Sequence, residues 1–106
     1  MTIKQGDAYW VPIDIELDGS VPTEELFREI EVTVGRDVHK TGSEGDVAYL
    51  EGQWYFWLSQ LDTLNLEPGM HIVELRVKFN NDPDADVVTV EAGMVEVRTS
   101  NHGKEI

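Results

Sequence analysis

Three aspartates stand at alternate positions in Asn80-Asn81-Asp82-Pro83-Asp84-Ala85-Asp86. Spaced carboxylates are what calcium asks for, since the ion takes six to eight oxygen ligands. An EF-hand loop starting at Asp82 needs glycine at its sixth position and a bidentate glutamate at its twelfth. Those positions hold Val87 and Gly93, so that motif is excluded. Asn80, Asp82, Asp84 and Asp86 could still converge on one ion from a loop. The competing reading is a polar turn, because Asn, Asp and Pro are ordinary turn formers. The turn reading is preferred: the stretch is expected to be the tip of a hairpin joining 71–79 to 87–98. No metal or other cofactor is expected, with Asp82, Asp84 and Asp86 as the alternative cation ligands.

Other reactive side chains form no constellation. His39, His71 and His102 stand singly, whereas a zinc site needs three or four convergent ligands. Ser20, Ser43, Ser59 and Ser100 sit in turn or strand-end contexts without a nucleophile elbow. The chain has no cysteine, which removes disulfides, thiolate metal sites and thiol nucleophiles together. A non-enzymatic protein is expected.

The 106 residues suit one domain over 1–100 with a polar tail over 101–106, and 41% hydrophobic residues are enough for a core. The formal net charge is −13. Such a surface repels phosphate backbones and anionic lipid, so neither nucleic acid nor membrane is an expected partner. No apolar run reaches the roughly 20 residues a spanning helix needs, and the first ten residues carry no signal-peptide core.

Alternation governs the pattern. In 8–17, Tyr9, Val11, Ile13, Ile15 and Leu17 share one face, and Pro12 predicts that this strand lies at an edge or is bulged there. Segment 21–30 reads as a crossover with one turn capped by Thr23. Ile30, Val32 and Val34 mark the next strand, 36–45 reads as polar loop, and 61–70 as a connection. Residues 46–59 form a hairpin about Glu51-Gly52. Its predicted register sets Leu50 opposite Gln53, Tyr49 opposite Trp54, Ala48 opposite Tyr55 and Val47 opposite Phe56. Val73, Leu75, Val77 and Phe79 face inward on 71–79, and the phase slip near Ala92-Gly93 predicts a bulge or bend. Six or seven short strands without a long helix predict an all-β, antiparallel β-sandwich.

The hairpin's second face is unusually apolar. Leu50, Tyr55 and Trp57, with Trp10 from the first strand, fall opposite the core faces. Apolar patches of this kind mark protein contacts or sugar-stacking platforms. The bland alternative is a loop, 21–28 or 61–69, folded over them. Trp10, Leu50, Tyr55 and Trp57 are the candidate interface.

Gln5-Gly6-Asp7, Leu17-Asp18-Gly19, Ile30–Gly35 and Leu58–Phe79 together resemble small phage and prophage proteins of Gram-positive bacteria, and more loosely the immunoglobulin-like N-terminal domain of phage upper baseplate proteins. The resemblance implies an immunoglobulin-like sandwich of about seven strands. It implies a structural or assembly module of a tail or baseplate, acting in the host cytoplasm during assembly or within the virion. Its partners would be proteins, a second copy of the chain among them, as a homo-oligomer. It carries over no catalytic residue. A small carbohydrate-binding module using Trp10, Tyr55 and Trp57 is the alternative function.

Overall fold

The computed structural model describes residues 2–16, 19–80 and 87–100. Among them are eight strands: β1 Thr2–Lys4, β2 Tyr9–Ile13, β3 Phe27–Val34, β4 Val38–Thr41, β5 Val47–Leu50, β6 Gln53–Leu58, β7 Gly69–Phe79 and β8 Val88–Arg98. One short helix, α1 Gln60–Asn65, joins β6 to β7, and a 3₁₀ turn spans Glu24–Leu26. The strands form two sheets, ordered β1-β8-β7-β3-β4 and β2-β6-β5. This all-β arrangement agrees with the expected class.

Alternating apolar residues close the two sheets on one core. Val11, Ile13, Phe56 and Leu58 of the three-stranded sheet join Val32, Val34, Val73, Leu75, Val95 and Val97 of the five-stranded sheet in one buried cluster. Burying each such side chain contributes about 1.5–3 kcal/mol relative to exposure. Trp54 packs edge-on against Phe27 and donates its indole N–H to the Pro22 carbonyl at 2.8 Å. Segment 21–22 thus lies against a core tryptophan.

The hairpin register is as the sequence predicted, from Leu50↔Gln53 to Val47↔Phe56. Its two-residue turn puts both central residues at positive φ, 49° for Glu51 and 83° for Gly52. Glutamate tolerates that region poorly, and asparagine suits it. Glu51→Asn is expected to raise unfolding stability by about 0.5 kcal/mol. Urea titration of both proteins checks this.

β2 lies at an edge of its sheet, with Pro12 opposite Tyr55, as expected. Its ladder stops at Ile13, although Ile15 is still buried. Leu17, expected on the same face, lies outside the described residues. The phase slip on β8 is a bulge: Val73 pairs with Gly93 and Glu74 with Glu91, leaving Ala92 as the extra residue. Gly93 takes φ 136°, which a side chain resists. Val88 and Val95 lie an odd number of residues apart and would otherwise face opposite ways. The extra residue sets Val88 against Val77 and Val95 against His71, in one phase on either side of the bulge; Val95 is buried, whereas Val88 is 40% exposed.

Several expectations are corrected. Strand β4 replaces part of the loop predicted over 36–45, because Val38 and Lys40 turn inward opposite Val34 and Val32. β1, too short to show a period, pairs in parallel with β8, so the fold is not purely antiparallel. The connection predicted over 61–70 contains α1. Thr23 makes no cap bond to the 3₁₀ turn; its hydroxyl donates to the Glu25 carboxylate instead. The Asn80 side-chain amide N–H groups donate to the carbonyls of Glu25 and Phe27. Asn81–Asp86, including Asp82, Asp84 and Asp86, lie outside the described residues, as does the 101–106 tail.

Candidate functional site

The four candidate residues share the outer face of the three-stranded sheet. β2, β6 and β5 run side by side, so their outward residues line up in rows. Trp10 stands opposite Trp57, and Asp46 stands on Trp57's other side, where its carbonyl accepts the Trp57 N–H at 2.8 Å. The next row is Pro12, Tyr55 and Ala48. Leu50 follows, opposite Gln53. The Trp10 and Trp57 rings pack with centroids 5.4 Å apart and planes at 45°. Trp10 is 48% exposed and Leu50 62%, while Tyr55 and Trp57 are half-buried. No described loop buries Trp10 or Leu50. Rings tilted at 45° give a sugar no common plane to lie on.

Charge around this face is one-signed. No lysine or arginine occurs between residues 5 and 27 or between 41 and 75, which together contain the whole three-stranded sheet. Asp14 and Glu16 continue the outward phase of Trp10 and Pro12, since Ile13 and Ile15 face in. Glu51 sits at the hairpin tip beside Leu50. The described cations lie instead on the five-stranded sheet and its turns, where Arg76 pairs with Glu31 at 3.4 Å, Lys78 with Glu29 at 3.5 Å and Arg98 with Glu96 at 3.0 Å.

A second polar centre holds the end of the sandwich. Ser59 caps α1: its hydroxyl accepts the Asp62 N–H and the Asp62 carboxylate accepts the Ser59 N–H. The Lys40 ammonium, reaching from β4, binds the same carboxylate at 2.5 Å. Burial alone would raise the Asp62 pKa. Lys40 and the Ser59 backbone and hydroxyl outweigh it, holding the carboxyl below its usual value. One residue on, Thr63 is fully buried; its hydroxyl accepts the Gly6 N–H at 2.9 Å and donates to the Asp7 carbonyl at 2.8 Å. Gln5 donates its amide to the Leu66 carbonyl at 2.9 Å. The Gln5-Gly6-Asp7 turn is thereby fastened to α1. Tyr9 donates to the Asp7 carboxylate at 2.9 Å, and burial first, then Asp7, raises its pKa above the usual value.

Sequence reasoning missed this clasp, although Ser59-Gln60-Leu61-Asp62 is a capping-box pattern. It also missed Met70, Ile72 and Met94, exposed on the outer face of the five-stranded sheet, where Ile72 pairs with Met94. Met70 and Ile72 share the outward phase of Glu74, and that was the available signal.

A cleft of about 640 Å³ lies between β3, β5 and the distal part of β7, bordered by Phe27, Arg28, Tyr49, Trp54, Arg76 and Lys78. Its Arg76 and Lys78 already pair with glutamates, and its Ser43 hydroxyl donates to the Thr41 hydroxyl. Among the described residues no three His, Cys, Asp or Glu side chains gather at a metal-sized site, and no helix is long and apolar enough to cross a membrane. Compared with known proteins, the chain matches no family model, no curated protein and no solved structure.

Proposed function

We propose that this chain is a non-enzymatic β-sandwich module that works by docking onto protein through the outer face of its three-stranded sheet. The observation that carries the reading is the Trp10–Trp57 pair, in tilted ring contact with Trp10 48% exposed, beside half-buried Tyr55 and exposed Leu50. Leaving large apolar side chains in water costs free energy that contact with a partner recovers, and aromatic residues are enriched at such contacts.

The strand order supports an immunoglobulin-like reading of the fold. In immunoglobulin lettering, β2, β6 and β5 stand as B, E and D, and β8, β7, β3 and β4 as G, F, C and C′. The hallmark disulfide and strand-C tryptophan are replaced, since the chain has no cysteine and its buried tryptophan, Trp54, lies on β6. At the corner between β6 and β7, the α1 clasp does the fastening.

The setting we propose is a phage or prophage tail or baseplate, with assembly in the host cytoplasm. It rests on the motif resemblance. Gln5-Gly6-Asp7 and Ser59–Leu66, which carry much of that resemblance, touch one another and hold the sandwich end together. They therefore speak for a shared architecture rather than a shared reaction. The test is incorporation. In particles induced from the encoding phage or prophage, the wild-type chain is expected at fixed stoichiometry. Trp57→Ser is expected to lose about tenfold in occupancy when compared at a temperature where its melting curve shows it folded. Occupancy indifferent to Trp57→Ser would contradict the docking face.

A further inference from the structure

We infer that the outer face of the three-stranded sheet takes a cationic segment of another protein, seating an arginine or lysine side chain on the Trp10–Trp57 pair beside Asp46. This rests on the docking role proposed above and specifies the partner's chemistry. Three observations carry it. The first is geometry. Trp10 stands opposite Trp57, and Asp46, one residue before β5, holds the Trp57 backbone N–H, so it continues that row and brings a carboxylate to the side of the indole pair. Tryptophan is the best ring for a cation, within about 6 Å of its centroid, and a neighbouring carboxylate adds a charge-assisted hydrogen bond.

The second observation is charge. The face is bordered by Asp14, Glu16, Asp46 and Glu51, and no lysine or arginine lies anywhere in the segments that build its sheet. Asp14, Asp46 and Glu51 form no ion pair with any described residue, so these carboxylates remain open to a partner. An apolar face with a uniformly acidic rim steers cations toward it and rejects acidic surfaces.

The third observation removes the simplest rival, a second copy of this chain. Two such faces meeting each other would oppose carboxylate to carboxylate in a chain of net charge −13. The opposite face, with Met70, Ile72 and Met94, offers apolar contact, but its Arg76, Lys78 and Arg98 are already paired with glutamates of their own chain, which leaves only Lys4, Arg28 and Arg36, spread over the sheet and its turns, among the described cations outside ion pairs. A cationic partner meets neither obstacle.

The experiment selects binders from a random peptide library displayed against the full chain, with counter-selection on Trp10→Ser. The expected binders are enriched in arginine and lysine and depleted in aspartate and glutamate. Affinity of a selected synthetic peptide should fall about tenfold in Trp57→Ala. It should fall severalfold in Asp46→Asn, and it should weaken as salt rises. Asp46→Asn and Leu50→Ser alter only exposed or half-exposed groups, so they keep the test open if a tryptophan variant unfolds. Binders that need Trp57 yet lack cationic enrichment and salt dependence would overturn the inference while leaving the docking face intact. Concentration-dependent self-association dissolved by Trp57→Ala would overturn it in favour of a second copy. Absence of any binder sensitive to Trp10, Leu50 or Trp57 would overturn both the inference and the docking role.

Discussion

Asp62→Ala is expected to lower the unfolding free energy by about 3 kcal/mol. Two effects combine. The α1 capping box loses its reciprocal half: the Ser59 N–H is left without the Asp62 carboxylate, at about 1 kcal/mol, while the backbone N–H of residue 62 still reaches the Ser59 hydroxyl. Lys40, whose side chain is only 11% exposed, also loses its counter-charge. An ammonium held between sheets without a partner is costly, although Asp62 is itself 23% exposed, so water tempers the penalty below that of a fully buried pair. The opposite half of the pair should behave differently. Lys40→Met replaces the cation with an apolar chain of similar reach and leaves Asp62 bonded to Ser59, so its expected cost is below about 1.5 kcal/mol. Urea unfolding of the two variants measures the asymmetry, and equal losses would contradict it.

The same carboxylate gives a pH dependence of definite sign. Asp62 has a lower pKa in the folded chain than its ordinary value of 3.8. Its ionisation therefore favours folding. That contribution is complete above the ordinary value and is lost as pH falls through the lowered folded value. Between about pH 6 and about pH 2, wild type is expected to lose more stability than Asp62→Asn, which has nothing to protonate at that position.

Thr63→Val is expected to cost about 2 kcal/mol. Valine keeps the shape, so packing around the fully buried site should survive. The hydroxyl is what goes. It accepts from Gly6 N and donates to the Asp7 carbonyl, and the buried Gly6 N–H is left without a partner. A stranded buried donor costs more than the hydrogen bond contributed. The damage should be local first: amide exchange at residues 5–8 should quicken well before that of β6 or β7. Uniform loosening of the whole sandwich would argue against the clasp.

What the sequence made legible follows from period and turn chemistry. The hairpin about Glu51-Gly52 could be registered residue by residue, because a two-residue turn fixes pairing and alternation fixes faces. The same logic exposed Trp10, Leu50, Tyr55 and Trp57 as one outward surface. β1 was not legible, since three residues hold no period and its partner, β8, lies at the far end of the chain. β4 was hidden because Lys40, read as a solvent residue, turns inward to meet Asp62. That pairing depends on a crossover no local pattern reports. α1 was readable in principle from Ser59 and Asp62, but its apolar residues also fit a loop closing the sandwich end. The row of Trp10, Trp57 and Asp46 needed the β2–β6 and β5–β6 registers together, and only the second was set by a turn.

The central claim is that the outer face of the three-stranded sheet is where this protein meets another. Photocrosslinking tests it most directly. A photoreactive phenylalanine analogue is placed at position 57, or at position 74 on the opposite outer face, in cells that make the protein. The account predicts a discrete protein adduct from position 57, mapped by mass spectrometry to an arginine- or lysine-bearing segment, and none from position 74. No protein adduct from 57, or the same adducts from both positions, would contradict it.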